Sequence, residues 1–230
     1  MFRPPLGARL LSLFATVFLA FVTAIMAVFA VLGFGMQWAL GVFIMALAVF
    51  MGALTGYVWR DLSGKWSYWV RLDASAVTLN LPAGRSLIHR PPKQRLTIRY
   101  VDIGSIETRL EAYGSLGMET MQRSYVLRRK NGDLIFLFED RALGTGLETH
   151  LFADFASDFA ARAGVELRDL GMVEGKGGFL GVWGTHAPDW AAPSLPLAQQ
   201  WRLWRHAAFT GSLAFAVIFL AFVVRFLFRG

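Results

Sequence analysis

The 230-residue chain contains no cysteine, so it can have no disulfide, no thiolate nucleophile and no cysteine-containing metal site. Its four histidines, His89, His150, His186 and His206, are far apart in the sequence. None has a partner at the spacing of known zinc sites, although His150, with Glu148 and Asp154 nearby on a predicted helix, leaves weak metal binding open beside a solvated helix face. We predict no catalytic, cofactor or metal site.

Charged residues are missing from long stretches at both ends of the chain. All sixteen acidic residues lie between Asp61 and Asp189, and residues 10–32 and 38–59 carry no charge at all. A third apolar run, residues 207–228, is uncharged as far as Val224. Each run is long enough for a transmembrane helix. Transporters, proton relays and haem-binding helices need charged or histidine side chains inside the membrane, so their absence disfavours those functions.

Residues 1–60 are predicted to form a transmembrane helical hairpin. The five residues between the first two runs, Gly33-Phe-Gly-Met-Gln37, predict a tight turn, because one straight helix would be far longer than a bilayer is thick. A secretory signal peptide is the alternative for the first run, but its apolar region is expected to be shorter. Gly52 and Gly56 have the spacing that allows membrane helices to approach closely.

Aromatic and basic residues flank the apolar runs, as is typical of the membrane–water interface. The predicted interface anchors are Trp38, Trp59, Arg60, Trp201, Arg202, Trp204 and Arg205. The predicted hairpin turn has no charge, whereas basic residues lie on the opposite side. The positive-inside rule therefore predicts a cytoplasmic N-terminus and a cytoplasmic central domain.

Residues 61–170 are predicted to form a β-rich domain with one helix. Strands are expected at 66–72, 76–81 and 95–101, and a hairpin is expected at 123–138, with Asn131-Gly132 in a type I′ turn. A helix is expected at 146–163, where apolar residues recur at helical spacing and Gly164 follows as a C-cap.

Residues 171–200 are rich in glycine and proline and are predicted to form a tether. A phosphate-binding loop needs serine or threonine after Gly-Lys, but here Gly177 follows Lys176. The apolar residues Phe179, Leu180 and Trp183 are therefore interpreted as a loop that contacts a partner or the membrane interface. Residues 201–230 are predicted to form the interfacial belt and the third transmembrane helix, with a helix that lies on the membrane surface as the alternative.

The order of these elements resembles bacterial membrane proteins with a pleckstrin-homology-like (PH-like) domain. Residues 95–167 carry the resemblance, through their short strands, the Asn131-Gly132 hairpin and the helix that ends at Gly164. The layout is also similar to photosystem I assembly proteins of plastids and cyanobacteria and to two-helix integral membrane proteins of proteobacteria. The resemblance implies a β-sandwich or barrel with a C-terminal capping helix, and a role in assembly or scaffolding rather than in catalysis.

The stretch 60–99 is strongly basic. Arg85, Arg90 and Lys93 lie in a predicted exposed loop and are candidate contacts for anionic lipid or a partner. Nucleic-acid binding is the alternative, but no known recognition motif accompanies these charges. We therefore predict membrane lipids as a partner and no nucleic acid.

Together these patterns predict an α+β membrane protein of the bacterial inner membrane, multi-pass, with its central domain in the cytoplasm. The predicted function is that of a non-catalytic accessory subunit or assembly factor, whose partners are other integral membrane subunits. The alternative is a membrane-embedded enzyme or lipid-handling protein with a site where the domain meets the bilayer.

Overall fold

The fold is α+β, with two long apolar helices at the N-terminus followed by two β-sheets. The computed structural model describes residues 1–86, 88–115, 118–143, 150–178 and 185–209. The chain divides into two units, which are described separately: Met1–Arg71 with Thr78–Leu96, and Leu72–Val77 with the residues from Thr97 onward.

The first unit begins with α1 (Leu6–Met36) and α2 (Trp38–Ser67), which are long and apolar enough to cross a membrane. The single non-helical residue between them is Gln37, with φ −155° and ψ 120°. The predicted five-residue turn is therefore wrong, because α1 continues through Met36. The reversal depends on Gly41, where an added Cβ would lie 2.7 Å from the backbone nitrogen of Phe34.

The two helices approach closely at Gly33 and Gly41, near the closed end of the hairpin, whereas Gly52 and Gly56 make no close contact. A Cβ added to Gly56 would meet no atom within 4 Å, and one on Gly52 would make an ordinary 3.6 Å contact with the Thr23 methyl group. Farther along the hairpin, a 3.1 Å hydrogen bond joins the hydroxyl groups of Thr23 and Thr55. Glycine spacing alone therefore indicated the wrong contact.

Helix α2 continues to Ser67, past the predicted hairpin boundary at residue 60. Asp61 and Lys65 form an ion pair of 2.7 Å at i, i+4 spacing, which favours helix here. The same two side chains bond Ser12 of α1, at 3.1 Å and 2.9 Å. The helix therefore continues past Trp59, where the uncharged run of the sequence ends.

The first sheet has the strand order β1-β2-β3, formed by Trp69–Leu72, Ala76–Leu81 and Gln94–Arg99. The predicted strand at 76–81 is confirmed. The strand predicted at 95–101 forms Gln94–Arg99 and ends earlier, because a 3-10 turn (Tyr100–Asp102) follows it. The strand predicted from residue 66 begins at Trp69, because α2 occupies the residues before it. A short 3-10 turn, Ala83–Arg85, follows β2.

The second sheet has the strand order β6-β5-β4-β7. Its strands are β4 (Ile103–Ser115), β5 (Met118–Arg129), β6 (Leu134–Leu143) and β7 (Leu167–Gly175). Strands β4, β5 and β6 pair antiparallel, whereas β7 pairs parallel to β4.

The predicted β5–β6 hairpin is confirmed, but its turn is not type I′. A type I′ turn needs positive φ at both central residues, and Gly132 has φ +93° while Asn131 does not have positive φ. The Asn131 side chain instead accepts the Asp133 N–H at 3.2 Å and donates to the Asp133 carboxylate at 2.7 Å. These local hydrogen bonds stabilise a turn in which glycine alone adopts the left-handed conformation.

Helix α3 (Ala153–Ala163) begins later than the predicted residue 146, and Leu147 lies outside the described residues. The predicted cap is confirmed: Gly164 has φ +65°, and its N–H donates to the carbonyl groups of Ala160 and Ala161. Strand β7 follows α3, so the expectation of a helix that closes the domain at its C-terminal end is wrong.

Part of the predicted 171–200 tether belongs to the second sheet. Residues 171–175 complete β7, and the Leu195 N–H donates to the Met172 carbonyl oxygen at 2.7 Å. Glycine content suggested flexibility here, but Gly171, with φ +77°, sits inside a paired strand. The domain therefore extends well beyond residue 170.

The core of the second unit lies on one face of the second sheet. Phe152 stacks on Phe138 with ring centroids 3.7 Å apart, and Phe155 and Phe159 of α3 continue the aromatic cluster. Toward the other end, Leu203 and Ala207 pack into a second apolar cluster with sheet residues. These residues belong to a helical segment that covers 197–209 of the described chain.

Candidate functional site

The outward surface of the α1–α2 hairpin is apolar almost throughout. Within the most apolar 18-residue window of each helix, 11% of the residues are buried. The exposed residues include a series of phenylalanines, at Phe14, Phe18, Phe21, Phe29, Phe34, Phe43 and Phe50. The few polar side chains of the spans, such as Thr23 and Thr55, bond within the hairpin. This surface can be covered by lipid or by other apolar helices.

The predicted anchor residues of the hairpin lie at positions that fit a bilayer. Trp38 and Trp59 are both exposed, at the two ends of the apolar part of α2. The 21 helical steps between them correspond to roughly 30 Å, the thickness of a hydrocarbon core. Arg60 follows Trp59 and reaches the Ala83 carbonyl oxygen at 3.4 Å.

The helical segment 197–209 has two different faces. Leu203 and Ala207 are buried against the sheet, while Trp201 is 68% exposed and Leu197 and Phe209 are also exposed. An open groove of 530 Å³ runs along the outer face and is lined by Leu197, Gln200, Trp201, Trp204, Arg205 and Ala208. The predicted anchors of this region differ in their exposure. Trp201, Arg202 and Arg205 are exposed, whereas Trp204 also packs on the core. Beyond residue 209 the predicted third span lies outside the described residues.

Arg85 is not the exposed lipid contact that the sequence predicted. Its side chain is 1% exposed, and Nη1 donates to the carbonyl oxygens of Leu81, Pro82 and Pro92, at 3.2 Å, 2.8 Å and 2.8 Å. Burial lowers the pKa of this guanidinium to about 10, against the opposing charge effect of Tyr68. Arg85 therefore stabilises the turn after β2, and the charges of Arg90 and Lys93 remain exposed.

The predicted contact loop, with Phe179, Leu180 and Trp183, lies outside the described residues. The remaining candidate features are in the second unit, on the two faces of its sheet. One face carries buried polar residues, and the other carries the apolar core.

Strand β4 presents a buried polar face. Its alternate residues Ser105, Glu107, Arg109, Glu111 and Tyr113 are all buried. On β5 and β6, Gln122, Ser124 and Glu139 are also buried. Burying charges is costly unless they are paired and hydrogen-bonded, so each of these groups needs partners.

The centre of this face is a network around Glu111. The Tyr113 hydroxyl and the Gln122 side-chain amide each donate to Glu111 Oε2 at 2.8 Å. Gln122 also reaches Glu139 at 3.4 Å, and Arg141 donates to Glu139 at 2.6 Å. Burial and the adjacent Glu111 carboxylate raise the pKa of Tyr113, so this phenol stays protonated and donates. These carboxylates accept hydrogen bonds from neighbouring side chains, as expected of groups that stabilise a fold.

Arg109 fastens the segment around residue 190 to the sheet. Its guanidinium donates to the carbonyl oxygens of Leu170, Asp189, Trp190 and Ala192, with distances of 3.2 Å to Leu170 and to Asp189. Burial lowers the pKa of Arg109, and nearby carboxylates oppose this effect. Residues 189–192, predicted to be part of a tether, are therefore fixed to β4 and β7.

Glu107 completes the polar face with an ion pair. Arg128 donates to both of its carboxylate oxygens, at 2.6 Å and 3.0 Å, and Trp190 Nε1 donates at 3.0 Å. Burial acts to raise the pKa of Glu107, but the hydrogen bonds from Arg128, Trp190 and Ser105 outweigh it and hold the pKa below its usual range.

A lowered pKa at Glu107 predicts acid sensitivity of the second unit. The pKa of Glu107 is lower in the folded state than in the unfolded state. Its contribution to the free energy of unfolding is therefore complete above the unfolded pKa of about 4.5, and it is lost as the pH falls through the folded pKa. Glu107→Gln should cost about 1–3 kcal/mol at pH 7 and reduce the acid-dependent loss. Thermal melts of the detergent-solubilised chain at pH 7 and pH 4 measure both effects.

Glu166→Gln, which removes an exposed pair with Arg168, is the control and should change little. Equal effects of both variants would contradict the assignment.

A cavity of 220 Å³ opens on the other face of the sheet, beside the core. It is lined by Leu110, Arg123, Tyr125, Asp140, Leu143, His150, Ala153 and Trp204. At its base the Tyr125 hydroxyl donates to Asp140 Oδ2 at 3.0 Å, while Asp140 Oδ1 accepts the N–H groups of Leu151 and Phe152. Burial raises the pKa of Asp140 against these hydrogen bonds.

Sequence reasoning missed the polar face and the cavity. The alternation from Ser105 to Tyr113 is strict and could have predicted strand β4. It would, however, have placed the charged face in solvent, because alternation does not show that later residues cover it. The cavity residues come from β4, β5, β6, the start of α3 and the helical segment at 204, and no local pattern joins them.

Comparison with known proteins gives no indication of the function, which is therefore inferred from the residues of the chain. No protein-family model matches this sequence, and neither a curated protein nor a solved structure is significantly similar to it. Among the described residues, no group of three or more histidine or acidic side chains could hold a metal ion.

Proposed function

We propose that this protein is a non-catalytic accessory subunit or assembly factor of an inner-membrane protein complex. The hairpin docks by helix packing, the terminal helix forms a third span, and the two sheets lie on the cytoplasmic side. The observation that carries the proposal is the outward surface of α1 and α2, which is apolar and rich in phenylalanine. Helices with such a surface associate through van der Waals packing, without charged groups that would serve transport.

The composition of the sheet-bearing part supports a PH-like domain as part of this proposal. A three-stranded sheet, a four-stranded sheet and one helix are the elements that such a domain needs. Strand β7, which follows α3, is a departure from the expected order. The buried carboxylates Glu107, Glu111 and Glu139 bond to neighbouring side chains, which supports a structural rather than a chemical role for them.

Site-directed photo-crosslinking tests the proposed docking surface. A photoreactive residue at Phe21 or Phe43, which are 63% and 62% exposed, should crosslink to one integral membrane protein in native membranes. The same residue at Ala30, which is buried in the hairpin, is the control and should crosslink only within the chain. Helix packing acts only between neighbouring side chains. A partner that docks here should therefore crosslink at the outward positions and not at the buried control position.

The expected result also includes stoichiometric co-purification of that membrane protein in mild detergent. Outward positions that crosslink only to lipid, with a monodisperse chain carrying bound lipid, would contradict the proposal and favour the lipid-handling alternative.

A further inference from the structure

The cavity between β5, β6 and the helical segment at Trp204 differs from the rest of the helix-covered face. Elsewhere on this face, Phe138, Phe152, Phe155 and Phe159 fill the space between sheet and helix. Protein interiors are close-packed and hold few voids larger than a water molecule. Here a space of 220 Å³ is left between the sheet and the helices and opens to the surface.

The polar groups at the base of the cavity are already occupied. Asp140 accepts three hydrogen bonds, from the Tyr125 hydroxyl and from two backbone N–H groups at the start of α3. These donors occupy its carboxylate oxygens before any ligand enters. Tyr125, as the donor to Asp140, presents its remaining lone pair as an acceptor.

Arg123 is different, because most of its donors are unused within the described chain. The guanidinium has five N–H groups, and its one hydrogen bond to the described residues runs from Nη1 to Asp169 Oδ2 at 2.8 Å. Arg123 lines the cavity, and its side chain is 30% exposed. A guanidinium fork matches the geometry of a carboxylate or a phosphate monoester.

The remaining walls are apolar. Leu110, Leu143, Ala153 and the indole of Trp204 surround the same space, with His150 at the edge. We propose that this cavity binds a small organic anion, whose charged group pairs with Arg123 and whose apolar body packs against Leu143 and Trp204. Because the volume of the cavity is below the range for drug-sized ligands, the apolar part of the anion must be a small aromatic or short aliphatic group. This inference does not depend on the proposed docking of the hairpin.

Binding to the full chain in maltoside micelles tests the proposal. The probes are 3-phenylpropionate, its uncharged amide 3-phenylpropanamide, and phenyl phosphate, measured by equilibrium dialysis with empty micelles subtracted. The anions should bind at one site per chain, and the amide should bind at least about tenfold more weakly because it forms no charge-assisted fork. Tighter binding of phenyl phosphate or of the carboxylate identifies which anion class the site takes.

Three variants locate the site. Arg123→Gln should weaken anion binding about tenfold or more, whereas Asp169→Asn breaks the same ion pair but keeps the guanidinium and should bind at least as tightly as the wild type. Leu143→Trp should fill the cavity and abolish binding while the thermal melt stays cooperative. The proposal is overturned if no anion binds above the micelle background, if the amide binds equally well, or if Asp169→Asn is as damaging as Arg123→Gln.

Discussion

Replacing Arg109 with glutamine should destabilise the second unit by roughly 3–5 kcal/mol, the loss typical of removing one partner from a buried charged network. Arg109 is 3% exposed and holds the carbonyl oxygens of Leu170, Asp189, Trp190 and Ala192. Glutamine can donate two hydrogen bonds at most, so at least two of these partly buried carbonyl groups would lose their partner. Two nearby carboxylates, Glu107 and Glu111, would also lose a compensating charge.

The melting temperature of the Arg109→Gln variant should fall by about 10 °C or more, for a domain of this size. Limited proteolysis should show new cleavage at 185–192, because that segment loses its attachment to β4. Arg109→Lys keeps the charge but lacks the planar fork, so it should also be destabilised. Arg168→Gln, which removes an exposed pair, is the control. An unchanged melt and an unchanged cleavage pattern for Arg109→Gln would contradict the assigned role.

Adding one methyl group at Gly64 should destabilise the first unit, although alanine normally favours a helix over glycine by up to about 1 kcal/mol. A Cβ at Gly64 would lie 2.5 Å from the Gly84 carbonyl oxygen, closer than real Cβ atoms approach. The obstructing atom belongs to the backbone of the 3-10 turn and cannot rotate away. The cost of Gly64→Ala should reach about 3 kcal/mol, the upper end of overpacking effects.

Gly56→Ala is the matched control, because it lies on the same helix and an added Cβ there meets no atom within 4 Å. It should be neutral or slightly stabilising, so the two alanine variants differ in sign. Thermal unfolding of both variants in detergent, followed by circular dichroism, makes the comparison. A similar melting temperature for Gly64→Ala and Gly56→Ala would contradict the close contact at Gly84.

The elements that the sequence predicts correctly are those with a local cause. The apolar runs 10–32 and 38–59 predict long helices because composition and length suffice. The strands at 76–81 and 95–101, the hairpin at Gly132 and the helix end at Gly164 follow from alternation and from the conformational freedom of glycine.

Several errors concern contacts that no local sequence pattern shows. Arg85 was predicted to be exposed because it lies among prolines and basic residues, yet the Pro92 carbonyl oxygen and its own turn surround it. Residues 171–175 were predicted to be flexible, although Tyr113 of β4 packs against Gly175. The cavity could not be predicted, because its lining is drawn from residues between 110 and 204.

The carbonyl partners of Arg109 set an order for the maturation of the chain. These carbonyl groups lie 61 to 83 residues downstream of Arg109. During synthesis β4 is therefore made before the groups to which the Arg109 guanidinium donates. Contacts between distant residues form late, because a long loop must close first. The polar face of the second sheet can therefore be completed only after residue 192 has been made.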